Sequence, residues 1–164
     1  MKILNETEIQ RKIKRLSFEI LENNYDEEEI ILAGINIKGM QFAKLLLKEL
    51  KHICDLNFIL TQIKLNPAFP LSSDITIGLP VESLIDRVII IVDDVANTGR
   101  TIFYASKPLL DIVIKKLEVA VLVNRTHKAF PVRVDYVGLS LATTLKENIE
   151  VEMNGEHEMA VYLV

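Results

Sequence analysis

The chain has 164 residues, one domain's worth of polypeptide, and its 49% hydrophobic and 26% charged residues are the balance of a folded globular protein, not of a disordered one. A formal net charge of −4 excludes global attraction to nucleic acid or anionic membrane, so any such contact needs a local basic patch. Cys54 is the single cysteine, which excludes an intrachain disulfide and a cysteine-built zinc cluster. Glu6 interrupts any apolar leader after Met1, and no apolar run reaches spanning length, so a cytoplasmic protein is expected.

From about Asn5 to Asn23, Ile9, Ile13, Leu16, Ile20 and Leu21 recur at helical spacing, with Asn5 or Thr7 as candidate N-caps. The opposite face carries Arg11, Lys12, Lys14 and Arg15, which reads either as solvated surface or as a docking patch for a phosphate backbone. Asp26 to Glu29 reads as a solvated acidic turn before a strand from Ile30 to Ala33. Gly34-Ile35-Asn36-Ile37-Lys38-Gly39 joins that strand to a helix expected from about Met40 to His52, and its two glycines permit close backbone approach to an anion. Asn57 to Lys64 reads as a second strand. Pro67 and Pro70 then exclude a helix across Asn66 to Asp74.

Val88-Ile89-Ile90-Ile91-Val92 is an unbroken β-branched apolar run, suited to a strand covered on both faces in a parallel sheet. Asp93 and Asp94 close it, at the end of the strand where open α/β sheets bind ligands. Ala96, Asn97, Thr98 and Gly99 follow, small or turn-forming residues whose amides can nest an anion. Carboxylates repel phosphate unless something positive or hydroxylic lies between them. Vicinal sugar hydroxyls with a divalent cation fill that role. A Walker loop is excluded, since Gly-x-x-x-x-Gly-Lys-Ser/Thr is absent.

Thr101 to Leu117 is helical in pattern, with Pro108 a kink or a break, and Val119 to Val123 is the next buried strand. In the tail, Ile149, Val151 and Met153 alternate before Asn154-Gly155, and Met159, Val161 and Leu163 alternate after it, which is a hairpin signal.

The run Ile90-Ile91-Val92-Asp93-Asp94-Val95-Ala96-Asn97-Thr98-Gly99-Arg100-Thr101 resembles the phosphoribosyl-diphosphate (PRPP) motif of type I phosphoribosyltransferases. The strand end Asn124-Arg125-Thr126-His127 and the following Pro131-Val132-Arg133-Val134-Asp135-Tyr136-Val137-Gly138 resemble the bifunctional pyrimidine operon regulator and uracil phosphoribosyltransferase branch. The resemblance implies one α/β domain over residues 1–164, a three-layer fold with a mainly parallel central sheet flanked by helices, and a small C-terminal hood from about residue 138 to 164.

It also implies transfer of ribose 5-phosphate from PRPP to a nucleobase, uracil before others, in nucleotide salvage, with Mg2+ and as a homodimer or higher homo-oligomer. Asp93 and Asp94 would hold the ribose hydroxyls directly or through magnesium, and Val95, Ala96, Asn97, Thr98, Gly99, Arg100 and Thr101 would bind the 5-phosphate. For Arg100, a solvated helix residue or an oligomer contact is the other reading. Asn36, Ile37, Lys38 and Gly39 would take the pyrophosphate, Lys38 standing where the regulator branch usually has arginine. The loop from Asn66 to Asp74 would be a short lid with Lys64 at its edge as its only base. Asn124 and Ile149 would meet the base, Asn124 as both donor and acceptor or merely as a strand cap. His127 would bind anions or cap the strand end. The alternative function is a nucleotide-sensing RNA-binding regulator using Arg11, Lys12, Lys14, Arg15, Arg125 and Arg133.

Overall fold

The computed structural model describes residues 1–144 and 146–164. In chain order its elements are β1 (Lys2–Leu4), α1 (Glu6–Asn24), β2 (Glu29–Ile35), α2 (Asn36–Ile53), β3 (Asn57–Lys64), β4 (Thr76–Ile77), β5 (Val88–Ala96), α3 (Arg100–Ala105), β6 (Lys116–Arg125), β7 (Tyr136–Leu141), β8 (Ile149–Glu152) and β9 (Ala160–Leu163). Short 3-10 turns lie at Val81–Leu84 and Lys107–Leu109.

Six strands form the main sheet in the order β4-β3-β2-β5-β6-β7, parallel except for the antiparallel edge strand β4. The chain winds outward from β2 to β3 on one side and from β5 to β6 and β7 on the other. The carboxyl ends of β2 and β5 therefore flank the point where the winding reverses, the crevice in which such sheets bind ligands. The apolar run expected at the centre is there: Val88 to Val92 are all buried, in register with Ile30 to Gly34 of β2.

α1 begins with a reciprocal cap, Asn5 Oδ1 accepting from the Glu8 amide at 3.0 Å and Glu8 Oε2 from the Asn5 amide at 2.9 Å. Its buried Ile9, Ile13, Leu16 and Ile20 pack with Phe42 and Leu46 of α2 against Ile90 and Val92. Burial of each such side chain stabilises the fold by roughly 1.5–3 kcal/mol. The opposite face of the sheet is covered by α3 and the 3-10 turns through Ile102, Leu109 and Leu84. These are the helical layers on either side of a mainly parallel sheet that the sequence implies.

The hood is a separate antiparallel sheet, β1-β9-β8, whose Val151, Met153 and Val161 join the same apolar cluster as Val92 and Leu122. It differs from the expected segment in two ways. Residues 136–141 belong to β7 of the main sheet, and the hood takes its third strand from the N-terminus, where Lys2 pairs with Tyr162. The expected hairpin is present, but Glu152 pairs with Ala160, so residues 153–159 form a broad loop around Asn154-Gly155. Met153 turns into the core and prevents a tight turn.

The expected helix from Thr101 to Leu117 is corrected. α3 stops at Ala105, a 3-10 turn follows with Pro108 in its first positions, and Lys116 is already paired with Val88 in the sheet. Pro108 removes a helical donor. Downstream, the Lys115 amide bonds the Arg87 carbonyl at 3.0 Å and draws the chain into β6. α2 is longer than expected: Asn36 opens it at φ +49, so Asn36, Ile37, Lys38 and Gly39 are its first turn, not a loop before it.

Candidate active site

β5 delivers Asp93 and Asp94 to the crevice. Asp93 is 8% exposed and its Oδ1 accepts from the Asp94 amide at 2.9 Å. Burial first, and then the neighbouring Asp94 charge, push its carboxyl well above the usual range, with Lys38 opposing. The Asp94 side chain faces α2, its Oδ2 3.9 Å from Lys38 Nζ. Among the described residues no group of three or more His, Cys, Asp or Glu side chains is placed to hold a metal. Two adjacent carboxylates suit a hard cation that keeps its waters and takes further oxygens from a substrate.

At the end of β5 and in the bend that follows, residues 95–101 wrap a small cavity of about 40 Å3 that Asp93 also lines. Gly99 has φ +84, and a Cβ there would lie 3.2 Å from Val132 Cβ, so only glycine makes this bend without strain. The Thr98 carbonyl is held by the amides of Ala129 at 3.0 Å and Phe130 at 3.1 Å. The amides of Thr98, Gly99 and Thr101 have no acceptor among the described residues, as an anion-binding nest requires.

Across the crevice, the first turn of α2 is pressed against β5: a Cβ on Gly39 would be 2.5 Å from the Val92 carbonyl. Asn36 does not offer its side chain to this space. Its Nδ2 donates to the Leu65 carbonyl at 2.9 Å and its Oδ1 accepts from the Leu65 amide at 3.1 Å, tying the turn to the root of the loop at Asn66 to Asp74. Lys64 and Asn36 share a cavity of about 540 Å3 with Ser73 and Asp74. The loop also gains a base from elsewhere, since Arg100 Nη2 reaches the Ala68 carbonyl at 3.5 Å.

Asn124 is the next-to-last residue of β6, in register with Ala96 and Ser140. Its Oδ1 accepts from Lys128 Nζ at 2.7 Å, and the same ammonium donates to the Asn97 carbonyl at 2.9 Å and to the Arg125 carbonyl. Burial, and then Arg125, lower the Lys128 pKa. Arg125 is itself buried, bonding Thr143 Oγ1 at 2.7 Å, the Thr144 carbonyl at 2.9 Å and Asn97 Oδ1 at 3.3 Å. Sequence reasoning missed Lys128 and read Arg125 as a surface base. The signal was their spacing, which lets both reach back to Asn97 from one turn. His127 Nε2 lies 2.8 Å from the Thr143 carbonyl and closes the strand end. Ile149 of the hood packs, half-buried, against the cluster that also receives Val95 and Leu139.

Two of the basic residues of α1 are committed to the fold. Lys12 Nζ donates to the Gly138 carbonyl at 3.1 Å, and Arg15 Nη2 to those of Val137 at 3.0 Å and Gly138 at 2.9 Å. Among the described residues no helix is long and apolar enough to cross a membrane.

The family model of the phosphoribosyl transferase domain matches residues 2–154. The chain is 34% identical over 161 residues to the bifunctional protein PyrR of Haemophilus ducreyi, covering 92% of this chain and 88% of that protein. It is 32% identical over 159 residues to the bifunctional protein PyrR of Streptococcus sanguinis, covering 92% and 89%. In fold it is similar to the hypoxanthine phosphoribosyltransferase of Trypanosoma cruzi, with TM-score 0.76 at 17% identity over 98% of this chain and 95% of that one. A hypoxanthine-guanine phosphoribosyltransferase from Bacillus anthracis gives TM-score 0.73 at 18% identity over 91% and 86%. With the paired acids, the amide-lined bend and the α2 turn gathered at one crevice, the chain belongs to the phosphoribosyl transferase domain family.

Proposed function

We propose that this protein transfers ribose 5-phosphate from PRPP to a nucleobase, uracil being preferred, with release of pyrophosphate. The observation that carries this reading is the juxtaposition of Asp93 and Asp94 with the open amides of Thr98, Gly99 and Thr101 and with Lys38 across the crevice. Each part suits one part of PRPP. The amides and hydroxyls of residues 95–101 suit the 5-phosphate, the carboxylates suit the ribose hydroxyls, and Lys38 with the amides of Asn36, Ile37 and Gly39 suits the pyrophosphate.

Departure of pyrophosphate leaves positive charge on the sugar ring, as in glycoside hydrolysis. Two carboxylates held close together in a buried strand end are poorly stabilised in the free protein, as the raised Asp93 pKa indicates. A developing cation beside them relieves that stress, so their interaction strengthens as the barrier is climbed. Asp93 and Asp94 would also hold Mg2+, which when bound neutralises pyrophosphate charge. Lys38 steadies the leaving group as its charge grows. Asn124 and Ile149 would contact the base from the end of β6 and from the hood, consistent with the Asn124 register beside Ala96.

The other reading, a nucleotide-sensing RNA-binding regulator, draws on the relatives, which are named as bifunctional proteins. The basic surface for it is reduced here: Lys12, Arg15 and Arg125 bond backbone carbonyls, and Arg133 pairs with Asp135 at 3.1 Å. The test is pyrophosphate release from PRPP and magnesium with uracil, hypoxanthine, guanine and orotate supplied in turn. Base-dependent release supports the transferase, and its absence with salt-sensitive RNA binding in uridine monophosphate supports the regulator.

A further inference from the structure

The proposed site contains a polar element with only one free side. Lys128 sends its ammonium into a ring of oxygens: Asn124 Oδ1 at 2.7 Å, the carbonyls of Asn97 at 2.9 Å and Ala96 at 3.5 Å, and the Arg125 carbonyl. An ammonium has donors and no acceptor, so the Asn124 amide must turn its oxygen towards it. The amide nitrogen is left over. Asn124 Nδ2 has no hydrogen-bond partner among the described residues. Nor is it sealed in the interior, since the buried side-chain polar atoms lacking a partner are Ser17 Oγ and Asn24 Oδ1. It is a free donor at the end of β6, one strand away from the bend at residues 96–99.

The orientation is not free to reverse. Rotating the amide would set its N–H groups against the Lys128 ammonium, donor against donor, and give up the 2.7 Å contact in a half-buried setting. Withdrawal of electron density through the oxygen also makes the outward N–H a stronger donor. A carboxamide that in isolation reads donors and acceptors alike is thereby reduced to reading acceptors.

We propose that Lys128 is a positioning residue that holds Asn124 as a one-way donor, and that the pair selects bases carrying an exocyclic oxygen over bases carrying an exocyclic amine at the same ring position. This rests on the pentose-phosphate reading of the crevice. Uracil against cytosine, and hypoxanthine against adenine, are the matched pairs that differ at this group. Mismatching a hydrogen-bonding group at a site built for its opposite discriminates by about tenfold to a hundredfold.

The experiment is titration calorimetry of the full chain with ribose 5-phosphate, with uridine and cytidine monophosphates, and with inosine and adenosine monophosphates. The wild type should prefer the oxygen-bearing member of whichever pair it binds by about tenfold or more. Lys128→Met should bring that ratio to within about threefold of unity, Lys128→Arg should keep it, and Asn124→Asp, which offers only acceptors, should invert it. A purely structural role for Lys128 would weaken both members equally and leave the ratio unchanged. That result overturns the inference, as does a wild-type ratio near unity while ribose 5-phosphate binds. If Lys128→Met does not fold, the Asn124→Asp inversion decides alone. Failure of ribose 5-phosphate to bind the wild type removes the underlying reading, and this one with it.

Discussion

Lys38 Nζ stands 3.9 Å from Asp94 Oδ2, so the first turn of α2 and the acid end of β5 face each other across the crevice with opposite charge. The lysine side chain is 56% exposed and the carboxylate 13%, and a pair this wet contributes at most about 1 kcal/mol to stability. Its value lies in what replaces it when a polyanion arrives. Lys38→Met should leave the melting temperature within a few degrees, raise the KM for PRPP about tenfold and leave nucleoside monophosphate affinity within about twofold, because only PRPP carries a pyrophosphate. Steady-state kinetics and calorimetry on the same preparation check this, and an equal loss for both ligands would speak against the assignment.

Asp93 carries a pH prediction. Its carboxyl is raised in the folded state, mainly by burial, so between its unfolded and folded pKa values the native state binds more protons than the unfolded one. Stability from this group is therefore full below about pH 4 and falls as pH rises through the folded pKa. Asp93→Asn removes that loss. The variant should melt higher than the wild type at pH 7 and 8, the gap closing towards pH 4, while PRPP-dependent turnover drops by about a hundredfold or more. A lower melting temperature for the variant at pH 8 would contradict this account.

Gly39 sets how closely α2 meets β5. A Cβ there would lie 2.5 Å from the Val92 carbonyl, one residue before the acid pair, and backbone cannot yield as a flexible side chain would. Gly39→Ala should destabilise the fold by about 1–3 kcal/mol in urea unfolding and raise the KM for PRPP.

Asn36 separates conformation from tethering. It sits at φ +49 and bonds both backbone groups of Leu65. Asn36→Gly loses the tether and keeps the conformation, while Asn36→Ala loses both and adds about 1 kcal/mol of strain. The two variants should therefore differ in urea midpoint by that amount, yet show the same fall in kcat if the tether to the loop is what turnover needs.

The centre of the molecule was legible because its signals are local. Val88 to Val92 is buried on both faces and could be little but an interior strand, and Asp93 to Thr101 follows it with no intervening choice of path. What was not legible depends on distant partners. β1 is only Lys2–Leu4, and it becomes a strand because β9, at the other end of the chain, supplies its ladder. α3 is shorter than its pattern suggests because residues 106–117 keep an apolar spacing that suits a helix, while Arg87 and Val88 claim Lys115 and Lys116 for the sheet. Arg125 looked like surface charge for the same reason: its partners Thr143 and Thr144 come from the far side of β7.

The central claim is that the acid pair and the amide-lined bend together grip a phosphorylated pentose. Titration calorimetry of PRPP with magnesium, repeated in buffers of different ionisation enthalpy, tests it most directly. Saturable binding at one site is expected, with proton release as the bound cation charge lowers the raised Asp93 pKa, and with both heat and proton release lost in Asp93→Asn. No measurable binding to the folded wild type, or binding that Asp93→Asn and Asp94→Asn leave unchanged, would contradict it.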